Sequence, residues 1–163
     1  MDAEQRKDLI EQYRRGYDEL AACLNDIPAE MWQFKPEPHE WSVHEIIVHL
    51  ADSESNSALR ARLLIAEPGG ALMGYDQDLW AKALDYHSQD WQDALQILKY
   101  ARKSTYALIK DLPDEVWAHT ARHPEYDEPY RFEMWLKIYA GHIPGHIKQI
   151  QNNHKLWLES QEV

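Results

Sequence analysis

Cysteine is almost missing from this 163-residue chain. Cys23 is the one thiol, which rules out an internal disulfide framework and agrees with a reducing compartment. Long apolar runs are missing as well. None approaches the roughly 20 residues that span a bilayer, and the opening MDAEQRKDLI lacks the apolar core of a signal peptide, so the expectation is a cytoplasmic chain with no membrane partner. Positive charge is scarce: 17 Lys and Arg against 28 Asp and Glu leave a net charge of -11, a field that repels phosphate backbones and weakly gathers cations. No basic stripe offsets it. Arg14 with Arg15, and Arg60 with Arg62, sit among acidic residues and read as solvated helix faces, so no nucleic-acid partner is expected.

What is present is ordinary for a globular protein, with 44% hydrophobic and 28% charged residues. The length suits one domain over 1–163, large enough to bury a core without a structural metal. Any metal would therefore serve function. Over residues 3–25, Leu9, Tyr13, Tyr17, Leu20 and Leu24 recur at helical spacing and predict a first helix. Cys23 lies beside that stripe with no basic cluster to lower its pKa, and reads as a core thiol. A proline-rich stretch follows, and then Ser42 and Glu45 form a capping box flanked by Trp41 and Ile46 in staple positions, predicting a second helix over 43–66.

Gly69, Gly70 and Gly74 make the next segment the most flexible loop expected, suited to a mobile lid or a substrate loop. A short helix is expected over 76–84. Ser88 or Asp90 then caps a third long helix, which ends near Asp111 and buries Trp91, Leu95, Leu98, Thr105 and Ile109. Residues 118–130 have no consistent period and read as a long connection with a short extended piece. Phe132, Leu136, Tyr139, Ile143, Ile147 and Ile150 mark a fourth helix reaching towards Trp157. The pattern D-x-P-x-E-x-W occurs at Asp26–Trp32 and again at Asp111–Trp117, each time after a long helix, and reads as helix punctuation in two similarly built halves.

Three histidines carry the chemistry. His142 and His146, four residues apart on the fourth helix, stand one turn above each other and can grip one ion. They share a stripe with Trp135, Tyr139, Gln149 and Asn153 at the edge of the core. His49 holds the equivalent boundary on the second helix, near Ser53 and Asn56, with Glu45 and Asp52 about a turn away on either side. Three imidazoles suit a divalent transition metal, whereas magnesium and calcium prefer oxygen, and they leave positions open for water or substrate. Zinc or nickel comes first, with iron or manganese next. A rival H-x-x-x-H pair, His119 and His123, is followed at once by Pro124 in a segment without helical period. Pro144 removes a hydrogen bond to Ala140 between the two ligands of the main pair, so a kink or a break is expected there.

The ordered combination of WSVHEIIVHLADSE, DQDLWAKALDY and HIPGHIKQI resembles the DinB-like superfamily, also called the YfiT-like metal-dependent hydrolases, distinct from the DNA polymerase that shares the first name. The resemblance implies an all-α antiparallel four-helix bundle with a long crossover and short connecting helices. It also implies a three-histidine centre at His49, His142 and His146, and commonly a homodimer. Some relatives are thiol transferases that use bacillithiol or a similar low-molecular-weight thiol. The expected function is hydrolysis or thiol or group transfer on a small molecule, with Asp52 or Glu45 orienting a ligand or accepting a proton. The alternative is a stress-response bundle that holds metal without turnover.

Overall fold

A computed structural model describes residues 1–162. Five helices form: α1 (Ala3–Asn25), α2 (Val43–Ala66), α3 (Gln77–Ala83), α4 (Trp91–Ile109) and α5 (Phe132–Gln161). Their starts are set by side chains that take up the free backbone N–H groups of a first turn. Asp2 with Gln5 and Ser42 with Glu45 make full capping boxes on α1 and α2. Asp76 and Asp90 cap α3 and α4. Both D-x-P-x-E-x-W copies fold into a 3-10 turn, at Ala29–Met31 and Asp114–Ala118, with Pro28 and Pro113 at the caps.

Four long helices make the expected bundle. Met1 and Arg6 pair with Glu133, so α1 and α5 run parallel. His44 beside Gln89 and Glu54 beside Arg102 show α2 and α4 running parallel too. The pairs oppose each other, because His49 meets His142 while Trp41 meets Asn153 further along α5. Joining two parallel helices needs a crossover, and residues 67–90, including α3, supply it. A second connection carries a two-stranded antiparallel hairpin, β1 (Thr120–Ala121) and β2 (Tyr130–Arg131).

The glycine loop differs from expectation. Gly69 N–H donates to Thr120 O at 2.7 Å, Leu72 N–H to Arg122 O at 2.8 Å, and Arg122 N–H to Gly70 O at 2.9 Å. Gly69, at φ +85°, adopts the left-handed turn that leads into this stitching. Pairing with a segment fifty residues away, which no local pattern reveals, pins 69–72 and leaves Tyr75 as the loop's contribution to the site described below. At Pro144 there is no break: α5 runs continuously through it. The buried stripe of Tyr139, Ala140, Ile143 and Ile150 holds that helix against the core on both sides of the missing bond.

The core falls into two apolar clusters. Leu20, Leu24, Ile46, Leu50, Leu98 and Ile143 belong to one, and Tyr13, Leu64, Ile109, Trp117, Phe132 and Trp135 to the other. Cys23 packs against the first, where burial raises its thiol pKa, as read from its position. Between the clusters the buried Arg102 guanidinium donates to Glu54 Oε2 and to Tyr13 O, both at 2.6 Å, and to Tyr139 O at 3.0 Å. Tyr13 donates to the other Glu54 oxygen, so one ionic network ties α1, α2, α4 and α5 together. Gly16 makes room for it: a Cβ there would meet Arg102 Nη2 at 2.9 Å.

Candidate metal centre

His49 stands in the second turn of α2, 1% exposed, where α2 faces α5. Its Nε2 lies 3.3 Å from His142 Nε2, and His146 Nε2 lies 3.2 Å from the same atom. Metal–nitrogen bonds of about 2.0–2.1 Å place adjacent ligand nitrogens about 2.8–3.4 Å apart across octahedral or tetrahedral angles. Both distances to His142 match that span, and the three ligand atoms all lie within 4.8 Å of one another. Pro144 has not turned His142 away.

The protonation pattern suits ligation. Gln149 Oε1 can only accept, so the 2.9 Å contact with His146 Nδ1 places the imidazole proton on Nδ1 and aims the Nε2 lone pair into the site. Burial, reinforced by the neighbouring imidazoles, pushes His49 down to about 2. Burial, then His146 and Arg102, pushes His142 down to about 3. His146 is lowered by burial against the opposing pull of Gln149. All three are neutral near pH 7, the form that binds a metal.

Trp41 walls one side, its ring 4.5 Å from His49 and 6.4 Å from His146. Asn153 Nδ2 holds it by donating to Trp41 O at 2.9 Å. The other side is open. A cavity of about 370 Å³ borders His142, lined by Ser53, Arg60, Tyr75, Glu125 and Tyr139 among others, and a cleft of about 270 Å³ borders His146. Gln77 lines both. The crossover therefore roofs the histidines with the start of α3.

Among the described residues, the one set of three or more histidine, cysteine or carboxylate side chains whose ligand atoms lie within 4.8 Å of one another is these three imidazoles. Neither Asp52 nor Glu45 joins them. Glu45 accepts from Ser42 N–H at 2.8 Å and Lys35 Nζ at 3.0 Å, and pairs with His87 at 3.1 Å. Burial works to raise its pKa, but these partners together hold it below the usual carboxylate value. Asp52 accepts from Tyr86 Oη at 2.7 Å. The rival pair is elsewhere: His119 Nδ1 contacts Leu64 O at 2.8 Å, and His123 stacks on Tyr130. Trp80 packs against the core while Tyr75 lines the cavity.

Arg60 is a correction. Read from the sequence as solvated surface, it lines the cavity and donates from Nη1 to Tyr139 Oη at 3.0 Å. A signal existed, because Arg60 follows His49 by eleven residues, about three turns, and so shares its face of α2. Tyr139 lies on the histidine stripe at the edge of the core. Its hydroxyl reaches the cavity, and Glu125 arrives from the hairpin connection, which carries no periodic signal.

The sequence pattern of the DinB superfamily matches residues 12–150. YfiT of Bacillus subtilis, which carries the provisional name of metal-dependent hydrolase, is 31% identical over 110 residues, covering 68% of this chain and 62% of that protein. A similarly named protein of Oceanobacillus iheyensis is also 31% identical over 110 residues, covering 68% and 63%. The match thus spans less than two thirds of the length of these relatives. The solved structure of Bacillus subtilis YfiT, described as a four-helix bundle of unusual topology, superposes with a TM-score of 0.87 at 24% identity, covering 95% of this chain and 89% of that one. Among the described residues no helix is long and apolar enough to cross a membrane. With a family pattern running from α1 into α5, the chain belongs to the DinB superfamily.

Proposed function

We propose that this chain is a metal-dependent enzyme that hydrolyses a small molecule or transfers a group to or from one, with His49, His142 and His146 holding a divalent transition metal. The observation that carries this reading is the convergence of three neutral imidazoles, with His49 and His146 Nε2 at 3.3 and 3.2 Å from His142 Nε2 and all three ligand atoms within 4.8 Å of one another, beside an open cavity. An all-nitrogen donor set favours zinc or nickel, with iron or manganese next. When bound, such an ion polarises a substrate oxygen or lowers the pKa of a coordinated water or thiol. The chain's own groups do the rest. Trp41 keeps solvent from one side of the imidazoles, and Gln149 fixes the His146 tautomer. Asp52 has one oxygen engaged by Tyr86 and the other to take a proton, whereas Glu45, held by three partners, sets the start of α2.

A low-molecular-weight thiol is the proposed nucleophile alongside water, and a homodimer the proposed assembly. The reading as a non-catalytic metal-holding bundle is less well supported, because a closed site takes a fourth protein ligand and, among the described residues, no further histidine, cysteine or carboxylate joins the three imidazoles. Metal analysis of the purified protein beside His49→Ala, His142→Ala and His146→Ala tests the proposal. About one ion per chain is expected in the parent and most of it lost in each variant. Full retention in His49→Ala would sink the cross-helix centre.

A further inference from the structure

We infer that the cavity beside His142 is built for a substrate bearing a single oxyanion group, a carboxylate or a phosphate monoester, held by Arg60 together with the Tyr139 hydroxyl. The inference rests on the proposed metal site for its orientation and on separate residues for its chemistry. Arg60 donates to Tyr139 Oη at 3.0 Å and to Met73 O at 2.5 Å, and among the described residues it makes no ion pair. Its Nε is buried without a hydrogen-bond partner. A guanidinium has five N–H donors in a planar fork that matches two oxygens of a carboxylate or phosphate, and the contacts to Tyr139 and Met73 engage two of them. Because Arg60 donates to the phenol oxygen, the Tyr139 proton is free to point to a further acceptor.

The surroundings point the same way. In a chain of net charge -11, an unpaired arginine in a cavity is the one local feature that draws an anion against the field. His123, 5% exposed, and Tyr130, 1% exposed, each keep a buried polar atom without a partner, and both feel the charge of Arg60. The region is therefore richer in unmet polar groups than a helix surface requires. Asp76 and Glu125 also line the cavity and disfavour a polyanion, which limits the ligand to one oxyanion. The Arg60 backbone follows that of His49 by about 16 Å along α2, but its guanidinium reaches back to Tyr139, whose ring stands 6.1 Å from that of His142, so a small molecule anchored at Arg60 presents its far end to the imidazoles.

The test titrates acetate and inorganic phosphate, separately, into zinc-loaded and metal-free protein by calorimetry, with circular dichroism to check folding. The parent is expected to bind at least one of the two, and the arm that responds identifies the oxyanion. Arg60→Gln should weaken that binding tenfold or more, and Tyr139→Phe several-fold, with zinc content unchanged in both. Arg60→Lys, which keeps the charge but not the fork, should fall between parent and Gln variant, and it carries the test if the Gln variant does not fold. Equal affinity in parent and Arg60 variants, or no binding of either anion by the parent, overturns the inference. Loss of the zinc site alone does not, because Arg60-dependent binding to metal-free protein is then read by itself.

Discussion

Gln149 shows how much of a metal centre is decided one residue away from it. Its amide oxygen fixes the proton of His146 on Nδ1, whereas Nδ1 of His49 is buried with no partner. Groups that orient a ligand in this way typically change metal affinity about 10- to 100-fold. Gln149→Ala should therefore weaken zinc binding within that range while keeping the stoichiometry at saturation, as measured by competition with a chromophoric chelator. An unchanged affinity would remove Gln149 from the centre. His142, His146 and Gln149 were legible because they repeat at helical spacing on one stripe of α5, and His49 because it holds the matching boundary on α2. Arg60 and the Tyr139 hydroxyl were not, because each has a bland explanation on its own helix and takes on meaning only where α2 and α5 meet.

The same imidazoles give the metal-free protein a pH dependence. His49 is pushed down to about 2 by burial in the folded chain, while an unfolded chain protonates it near its ordinary value of about 6.5. Between those values the unfolded state binds a proton that the folded state does not. The contribution of these imidazoles to stability is then constant above about 6.5 and declines as the pH falls below it, by at most about 1.4 kcal/mol per pH unit for each such group. Urea denaturation of chelator-treated protein should show a lower midpoint at pH 5 than at pH 8, and His49→Ala should flatten the dependence. A parent midpoint that does not move between the two would contradict the buried neutral imidazoles.

At the scale of elements, helix boundaries were read well because capping is a local code. The starts of α2, α3 and α4 follow from Ser42 with Glu45, Asp76, and Asp90, each bonding to N–H groups two or three residues on. What joins the elements is not local. No local pattern singles out Glu54 or Arg102, yet they meet at 1% and 2% side-chain exposure with Tyr13 completing the network. Removing one partner of a buried pair leaves the other charge without compensation and typically costs about 3–5 kcal/mol. Arg102→Ala should destabilise the protein by that amount in urea unfolding, and it also deprives Tyr13 O and Tyr139 O of their donor. A loss below about 1 kcal/mol would mean that the network adds little to holding the four helices together.

At the scale of the molecule, the crossover ties the fold to the site. Two parallel helices, α2 and α4, force a connection long enough to travel the length of the bundle, and that connection lays Tyr75 and Gln77 over the histidines. The periodicity of the chain revealed four long helices but not which of them lie side by side, since adjacency is set by core shape and by contacts such as Gly69 with Thr120. An ion held by His49 on α2 and by His142 and His146 on α5 would clamp the antiparallel seam of this arrangement. Binding to the folded state alone adds about 2.7 kcal/mol at a hundred times the dissociation constant. For a chain of this size each kcal/mol is worth about 2–4 °C in melting temperature, so saturating zinc should raise the midpoint by roughly 5–11 °C. Calorimetry with and without chelator measures it, and His49→Ala should abolish most of the rise, because a helical pair on α5 alone no longer bridges the seam. A rise that survives intact in His49→Ala would place the stabilising ion on α5 and leave α2 out of the clamp.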